Sequence, residues 1–460
     1  MEHVTAVILA AGEGKRMKST LPKVLHSICG RTLLGHVLAA VEHLCQHKIV
    51  IVGYGATQVQ QTFGDSVSYA LQSEQLGTGH ALMQAIPLIP PQGDVFVLCG
   101  DTPLLDETIL SELLAAHRRE SAAVTVLTAT VPHAYGYGRI IRNEYGMVKK
   151  IIEEKDASEA EKAGKEINTG SYIFSASPLL DALQDLGNDN AQHEYYLTDC
   201  IELLIRKGMT AASHCLDDYR HALGVNDRQQ LAEAGRLLRE RINNKQMAAG
   251  VTIIDPASTY VDAEVQIGNN TTLLPNTHIK GSTVIGRDCV IGPNCEIIDT
   301  VIADAVTVRH SVVTESTLES HVMVGPFAHL RPETILRQGV KVGDFVEIKK
   351  SDIGRLSKIP HLSYVGDAQV GKGVNLGAGT IIVNYDGRKK YRTIIEDQVF
   401  VGCNSNLLAP VTIGKGAFVA AGSTITKDVP PTTLALARSK QVNKEGLAAR
   451  FIDIEEDGEL

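Results

Sequence analysis

Residues 267–297, IGNNTTLLPNTHIKGSTVIGRDCVIGPNCEI, place an isoleucine or leucine at every sixth position. A period of six matches neither the 3.6-residue period of a helix nor the two-residue alternation of an ordinary strand. It fits a coil with three short flat faces of six residues each, in which the apolar side chain points inward. The repeating positions are Ile267, Leu273, Ile279, Ile285, Ile291 and Ile297.

The same spacing continues, with short slips, as far as residue 425. The later members are Val306, Val312, Leu318, Val324, Leu330, Leu336, Val342, Ile348, Ile353, Ile359, Val365, Val370, Leu376, Ile382, Ile395, Val401, Leu407, Ile413, Val419 and Ile425. Eighteen residues then form one turn, and equivalent positions stack about 4.8 Å apart. A β-sandwich would not keep this phase over roughly nine turns. The phase breaks at VNYDGRKKYRTI, residues 383–394, and such an excursion often carries function.

Composition agrees with a thin aliphatic interior, because the 460 residues include 41 Gly and no Trp. The net charge of −9 and the absence of a basic run exclude a nucleic-acid partner from the prediction. No apolar run reaches the roughly 18 residues that a membrane span needs. The eight cysteines form no CxxC pair and indicate free thiols in a reducing compartment, so we expect a cytoplasmic protein.

The first half of the chain alternates strand-like runs with longer mixed segments. Examples of the strand-like runs are Val4–Leu9, Lys48–Val52, Val95–Leu98 and Ala123–Leu127. This alternation predicts a nucleotide-binding (Rossmann-like) α/β sheet whose ligands lie beyond the carboxyl ends of the strands. Residues 227–248 predict one long connecting helix. We therefore expect domains at 1–226, 227–249 and 250–437, and a C-terminal tail at 438–460.

A glycine loop follows the first strand, at Ala10-Ala11-Gly12-Glu13-Gly14-Lys15-Arg16-Met17. Small residues allow the backbone to approach an anion, and successive N–H groups can bind phosphate oxygens. The loop is neither a Walker A sequence nor a complete Rossmann fingerprint. Taken alone, it is explained equally well by a tight structural turn.

Three further motifs give the loop a chemical context: Leu21-Pro22-Lys23, Glu74-Gln75-Leu76-Gly77-Thr78-Gly79 and Cys99-Gly100-Asp101. Aspartate is an ordinary hard ligand for Mg²⁺. Together the motifs resemble the sugar-1-phosphate nucleotidyltransferase family. The segments Gly136–Ile140, Glu166–Gly170 and Gly224–Asn226 make the chain most similar to the bacterial family of bifunctional N-acetylglucosamine-1-phosphate uridylyltransferases/glucosamine-1-phosphate acetyltransferases.

The resemblance implies a uridylyl-transfer site in the first domain, where UTP and N-acetylglucosamine-1-phosphate react with Mg²⁺. The residues implied for the nucleotide, the sugar and the charge screening are Leu9, Ala10, Ala11, Gly12, Arg16, Lys23, Gln72, Gly77, Thr78, Asp101, Gly138, Glu153, Asn168 and Asn226. The resemblance implies that Asp101 and Asn226 share the Mg²⁺. A lysine such as Lys23, taken alone, could equally be a solvated surface charge.

Polar residues that a structural coil does not need are concentrated in the second half. Arg331 and Lys349 are 18 residues apart, or one full turn, so we expect them to stack on one face and bind a phosphate dianion. His361 is the predicted general base, because an acceptor amine must lose a proton before it attacks a thioester.

The resemblance extends to this half and implies acetyl transfer from acetyl-CoA to glucosamine-1-phosphate. The residues implied for the sugar phosphate are Arg331, Lys349, Tyr364, Asn375 and Lys390. Those implied for acetyl-CoA are Ala378, Asn384, Tyr385, Cys403, Ala421 and Arg438. Cys403 departs from the family pattern, in which serine is usual, and a thiol is the weaker hydrogen-bond donor. Coils of this family are left-handed parallel β-helices of hexapeptide repeats and usually assemble as homotrimers.

The predicted function is therefore a two-step synthesis of UDP-N-acetylglucosamine, a cell-wall precursor. The alternative enzyme is a sugar-1-phosphate nucleotidyltransferase with one activity, in which the β-helix is purely structural. The cluster of Arg331, Lys349 and His361 argues against that alternative. The motifs at Gly12, Lys23 and Asp101 argue against a scaffold without catalytic activity.

Overall fold

The computed structural model describes residues 3–452. The chain forms two compact units, Met1–Ile242 and Asn243–Leu460. The finer domain boundaries expected from the sequence remain predictions, and residues 453–460 of the expected tail lie outside the described residues. Within residues 3–452 no helix combines the length and the apolar character needed to cross a bilayer.

The first unit contains a mixed sheet between layers of helices, in the strand order β11-β7-β10-β6-β1-β4-β5. The strands are β1 Val4–Ala10, β2 Ser27–Ile28, β3 Arg31–Thr32, β4 His47–Val52, β5 Ser68–Leu71, β6 Asp94–Cys99, β7 Val124–Thr130, β8 Arg139–Arg142, β9 Val148–Ile152, β10 Glu166–Ser175 and β11 Ala211–Leu216. The helices are α1 Leu33–Val41, α2 Ala56–Phe63, α3 Thr78–Met83, α4 Glu107–Arg119, α5 Glu159–Lys162, α6 Ala176–Gln184, α7 Leu197–Arg206 and α8 Arg228–Ala248.

Strand β1 shows why these residues form a central strand. Its side chains are almost all buried, and Ile8 belongs to the apolar cluster on one side of the sheet while Val7 belongs to the cluster on the other. It pairs in parallel with β6, where Leu9 faces Cys99, and with β4, where Ala10 faces Val52. The loops that follow these strands therefore meet at one edge of the sheet.

Helix α8 confirms the long helix expected over residues 227–248. Its apolar side packs on the first unit, where Ala234 and Leu238 are buried in a small cluster with Leu33 and Leu104. At its end, Gly250 has a φ of +94° and donates its N–H to the carbonyl of Met247 at 3.0 Å. Glycine suits this position because it adopts positive φ without steric cost.

The second unit is a coil of short parallel strands in three sheets of 11, 10 and 9 strands, as in a left-handed parallel β-helix of hexapeptide repeats. Face 1 consists of Thr252–Ile253, Thr272–Leu273, Val290–Ile291, Thr307–Val308, Met323–Val324, Lys341–Asp344, Lys358–His361, Asn375–Leu376, Phe400–Val401, Phe418–Val419 and Leu434–Ala435. Face 2 consists of Tyr260–Val261, His278–Lys280, Glu296–Ile298, Val312–Thr314, His329–Leu330, Glu347–Lys349, Tyr364–Gly366, Ile381–Val383, Asn406–Leu408 and Thr424–Ile425. Face 3 consists of Gln266–Ile267, Val284–Ile285, Val301–Ile302, Ser316–Leu318, Thr334–Leu336, Asp352–Ile353, Ala368–Val370, Thr393–Ile395 and Val411–Ile413.

The predicted inward positions are confirmed along most of the coil; for example, Leu330, Ile348 and Val365 have no exposed surface. The prediction for Val312 was wrong, since that side chain is 37% exposed and Val313 fills the interior instead. The cause is a local change of repeat length: Ile297 pairs with Val313, only 16 residues further on, rather than 18. A fixed six-residue count cannot detect such shortened turns.

Candidate active sites

A cavity of about 290 Å³ lies at the carboxyl ends of β1 and β6 in the first unit. Nine of the residues predicted for the nucleotide line it: Leu9, Ala10, Ala11, Gly12, Lys23, Gln72, Gly77, Thr78 and Asp101. Its other lining residues are Val24, Gln75, Ala81, Cys99 and Glu194. Gln75 and Glu194 belong to motifs visible in the sequence, but no spacing rule assigned them to the cavity.

Lys23, Asp101 and Asn226 meet in this site although they are far apart in the chain. The ammonium of Lys23 forms an ion pair with the carboxylate of Asp101 and donates to Asn226 Oδ1 at 3.2 Å. Both side chains of the ion pair are more than four-fifths buried. The backbone fixes the arrangement further, because Val225 donates its N–H to the carbonyl of Asp101 at 2.9 Å.

This arrangement fits the predicted Mg²⁺ ligands. One carboxylate oxygen and one amide oxygen converge on a single positive charge, which here is the Lys23 ammonium. Oxygen donors of these two kinds are the ligands that Mg²⁺ takes in proteins. Asp101 and Asn226 are therefore suited to hold a divalent cation between them.

The second glycine loop is held tightly against the segment Glu194–Tyr196. Gly77 has a φ of +109°, and a side-chain Cβ there would lie 2.6 Å from the carbonyl oxygen of Tyr195. The buried amide of Gln72 donates to the carbonyl of Gly77 at 3.1 Å, and Thr78 Oγ1 accepts from the N–H of Leu197 at 3.1 Å. These contacts position the loop at the entrance to helix α3.

Gly138, Glu153 and Asn168, which the resemblance implies for the sugar, also come together. A Cβ on Gly138 would lie 3.5 Å from both Glu153 Oε1 and Asn168 Cβ. Burial raises the pKa of Glu153, and the nearby carboxylates of Asp199 and Asp156 act in the same direction. Arg16 is the exception among the predicted residues, because its side chain is exposed and does not line the described cavity.

In the second unit, Arg331 lies directly beside Lys349 on face 2. Leu330 pairs with Ile348, and the N–H of Arg331 donates to the carbonyl of Ile348 at 2.8 Å. The predicted one-turn stacking of the two cations is therefore confirmed. The guanidinium of Arg331 also donates to Glu347 Oε1 at 2.7 Å, which holds it at the surface of the face.

A third cation comes from the excursion at residues 383–394. The ammonium of Lys390 is the main cause of a lowered pKa at Lys349, followed by desolvation and then by the charge of Arg331. Cations that lower each other's pKa are in mutual repulsion, and an anion bound between them relieves it. Lys390 also lines a groove of about 530 Å³ with Lys350 and Arg392.

His361 ends a strand of face 1, and its side chain is 56% exposed. Its Nδ1 hydrogen-bonds the carboxylate of Asp344, which occupies the equivalent position one turn earlier. The hydrogen bond from His361 lowers the pKa of Asp344. The sequence analysis missed Asp344, because these two residues are 17 positions apart in a coil expected to repeat every 18.

The remaining predicted residues lie on neighbouring turns. Asn384 donates to Asp367 Oδ2 at 2.5 Å and to the hydroxyl of Tyr364 at 3.4 Å. Asn375 stands on face 1, where it pairs with Lys358 and Phe400. The hydroxyl of Tyr385 donates to the carbonyl of Gly387, within the excursion.

Residues predicted for acetyl-CoA follow one another along one edge of the coil. Ala378 accepts at its carbonyl from the N–H of Asn404 at 2.7 Å, next to the exposed Cys403. On the following turns, Cys403 accepts from the N–H of Gly422 at 2.8 Å, and Arg438 Nη1 donates to the carbonyl of Ala421 at 2.9 Å. The edge is thus a continuous strip of backbone that ends at a cation.

Comparison with known proteins gives the same division of the chain. The model of the MobA-like NTP transferase domain matches residues 6–196, and the model of the bacterial transferase hexapeptide (six repeats) matches residues 264–299 and 392–427. The chain is 53% identical to the "Bifunctional protein GlmU" of Geobacillus sp. (strain WCH70) over 448 residues, covering 97% of this chain and 98% of the relative. It is also 53% identical over 447 residues to the proteins of that name from Exiguobacterium sp. (strain ATCC BAA-1283 / AT1b) and Caldanaerobacter subterraneus subsp. tengcongensis, covering 97% of this chain and 99% and 98% of those relatives.

Proposed function

The chain belongs to the family of the bifunctional GlmU proteins, and on that basis we propose the reactions, site residues and assembly described below. It is a bifunctional transferase with an acetyltransferase and a uridylyltransferase site. The second unit transfers an acetyl group from acetyl-CoA to glucosamine-1-phosphate. The first unit then transfers a uridylyl group from UTP to the N-acetylglucosamine-1-phosphate formed, which gives UDP-N-acetylglucosamine and pyrophosphate.

The convergence of Arg331, Lys349 and Lys390 is the observation that carries the acetyltransferase assignment. A purely structural coil has no reason to place cations where they lower each other's pKa. A phosphate dianion fits the site because it can accept hydrogen bonds from all three groups. This feature favours two activities over a nucleotidyltransferase with a structural β-helix.

Acetyl transfer needs a base near that phosphate site. His361 takes a proton from the attacking amine, whose nitrogen forms a bond to the thioester carbonyl carbon. The carbon–sulfur bond breaks, and the coenzyme A thiolate leaves and takes up the proton. Tyr364, Asn375 and Asn384 orient the amino sugar beside the thioester, while Ala378, Tyr385, Cys403, Ala421 and Arg438 bind the coenzyme.

Uridylyl transfer needs two anions to approach each other. A phosphate oxygen of the sugar attacks the α-phosphorus of UTP, and the bond to the leaving pyrophosphate breaks. The backbone of Leu9–Gly12 and the loop at Gly77-Thr78 hold the nucleotide, and Lys23 screens the charge. Mg²⁺ held by Asp101 and Asn226 supplies further charge stabilisation when it is bound. Arg16 reaches the substrates only if its exposed side chain turns inward.

We propose a homotrimer in the cytoplasm. The assembly is supported by three large apolar residues beside His361, since Phe327, Phe345 and Leu362 are 55%, 59% and 58% exposed. Phe327 and Phe345 stack with ring centroids 5.3 Å apart, so they form one apolar strip along the coil. Exposed strips of this kind commonly mark protein contacts. The cytoplasm is supported by the eight free cysteines.

The test separates the two reactions in one purified protein, by following free coenzyme A and pyrophosphate independently. We expect Asp101→Ala to abolish uridylyl transfer and leave acetyl transfer intact, and His361→Ala to do the reverse. If His361→Ala kept most of the acetyl transfer, His361 would not be the base. If the wild-type protein released no coenzyme A, the β-helix would be structural.

A further inference from the structure

The backbone brings Asp344 and His361 together at the ends of adjacent strands. The strands Lys341–Asp344 and Lys358–His361 pair in parallel with these two residues in direct register. The N–H of Leu362 donates to the carbonyl of Asp344 at 2.9 Å, so the main chains are joined beside the two side chains. The carbonyl of His361 is itself held by the hydroxyl of Ser363 at 2.8 Å.

The contact between the side chains decides which imidazole nitrogen carries a proton. An ionised carboxylate can only accept hydrogen bonds, so His361 Nδ1 must be the donor. In the neutral ring the lone pair then lies on Nε2. Because the His361 side chain is 56% exposed, that lone pair is open to a substrate.

We propose that Asp344 is a positioning residue, which holds His361 in the tautomer and ring orientation needed to accept a proton at Nε2. The inference rests on the proposed role of His361 as the base. Once the ring has taken the proton of the amine, the carboxylate also stabilises the imidazolium. As a simple ion pair between exposed groups, the contact would add little to stability, about 0–1 kcal/mol.

The experiment measures steady-state acetyl transfer by Asp344→Asn in the full chain. An amide can donate as well as accept, so it permits the other tautomer and carries no charge. We expect kcat to fall roughly ten- to a hundredfold, while the KM values for both substrates and the rate of uridylyl transfer stay unchanged. Asp344→Glu, which keeps the carboxylate, should retain more activity than Asp344→Asn.

Asp304→Asn is the matched control. Asp304 is another exposed acid that links adjacent turns, since it accepts from the N–H of Arg287 at 2.8 Å, and it lies away from the proposed site. Its loss should leave acetyl transfer unchanged. Melting temperatures of all variants show whether any of them fails to fold.

A double-mutant cycle distinguishes positioning from a separate structural role. If Asp344 acts through His361, Asp344→Asn should not lower the residual acetyl transfer of His361→Ala any further. A further loss in that background, or a normal kcat for Asp344→Asn when His361→Ala is inactive, would overturn the positioning role and leave His361 as the base. Full activity of His361→Ala would instead remove the base assignment, and with it the positioning role.

Discussion

Arg331 and Lys349 lie side by side on one face of the coil, one turn apart, because Leu330 and Ile348 pair in register beneath them. Lys390 approaches the same point from the excursion and lowers the pKa of Lys349. The three cations are therefore arranged for an anionic ligand at some cost to the free protein. This relationship leads to the first prediction.

Lys349→Ala should raise the KM for glucosamine-1-phosphate at least about tenfold, because a hydrogen bond to a charged group contributes roughly 1.5–3 kcal/mol. The melting temperature should not fall, since the substitution removes a repelled charge. Coenzyme A release as a function of sugar-phosphate concentration measures the effect. Lys280→Ala is the matched control, because Lys280 is a partly exposed lysine on the same face paired with Glu296. A KM for Lys349→Ala within twofold of the wild type would contradict the phosphate role.

Alkylation of Cys403 should inhibit acetyl transfer and spare uridylyl transfer. Cys403 and Cys215 are the two cysteines with exposed side chains among the described residues, and only Cys403 lies on the edge proposed for acetyl-CoA. Iodoacetamide treatment, with acetyl-CoA as protectant, measures the effect. Cys403→Ser should make acetyl transfer resistant to the reagent, whereas Cys215→Ser should not. Equal sensitivity of the two variants would place the modified thiol elsewhere.

Gly77→Ala should lower uridylyl transfer at least about tenfold and destabilise the first unit by roughly 1–3 kcal/mol. The reason is the positive φ of Gly77, together with the carbonyl of Tyr195 that a Cβ would meet at 2.6 Å. Pyrophosphate release reports the activity. Gly187→Ala is the control, because no atom lies within 4 Å of the Cβ that it would add. Normal uridylyl transfer by Gly77→Ala would show that the loop does not need this conformation.

The stability of the first unit should fall between about pH 4 and pH 6. Burial, with help from Glu202 and Asp156, raises the pKa of Asp199 from 3.8 to about 6. The folded state therefore favours the protonated form, and this contribution is present below pH 4 and lost as the pH rises through 6. Because Asp199 is half-buried, we expect an effect of about 1 kcal/mol.

Asp199→Asn should remove this pH dependence and stabilise the protein at pH 7. Denaturant unfolding followed by circular dichroism at 222 nm is a suitable measurement, because the described α-helices begin between residues 33 and 228. Asp65→Asn, at an exposed position, is the control. An unchanged slope for Asp199→Asn would show that another group causes the pH dependence.

The site in the first unit could be predicted only in part. The motifs identified most of the residues that line the cavity, since loops after parallel strands meet at one edge of the sheet. No pattern could show that Lys23 contacts both Asp101 and Asn226, which are 78 and 203 residues away. Those contacts depend on how the sheet and the segment before helix α8 fold together.

In the second unit, the six-residue period determined the fold and the stacking of Arg331 on Lys349, because a regular coil converts sequence distance directly into spatial distance. Only the tertiary structure could pair His361 with Asp344 and turn Val313 inward instead of Val312, since individual turns there contain 17 or 16 residues. It also decided that Lys390 comes close to Lys349, because that lysine leaves the coil on the excursion. Periodicity predicts contacts where each turn repeats the last one, and packing decides them where the repeat length changes.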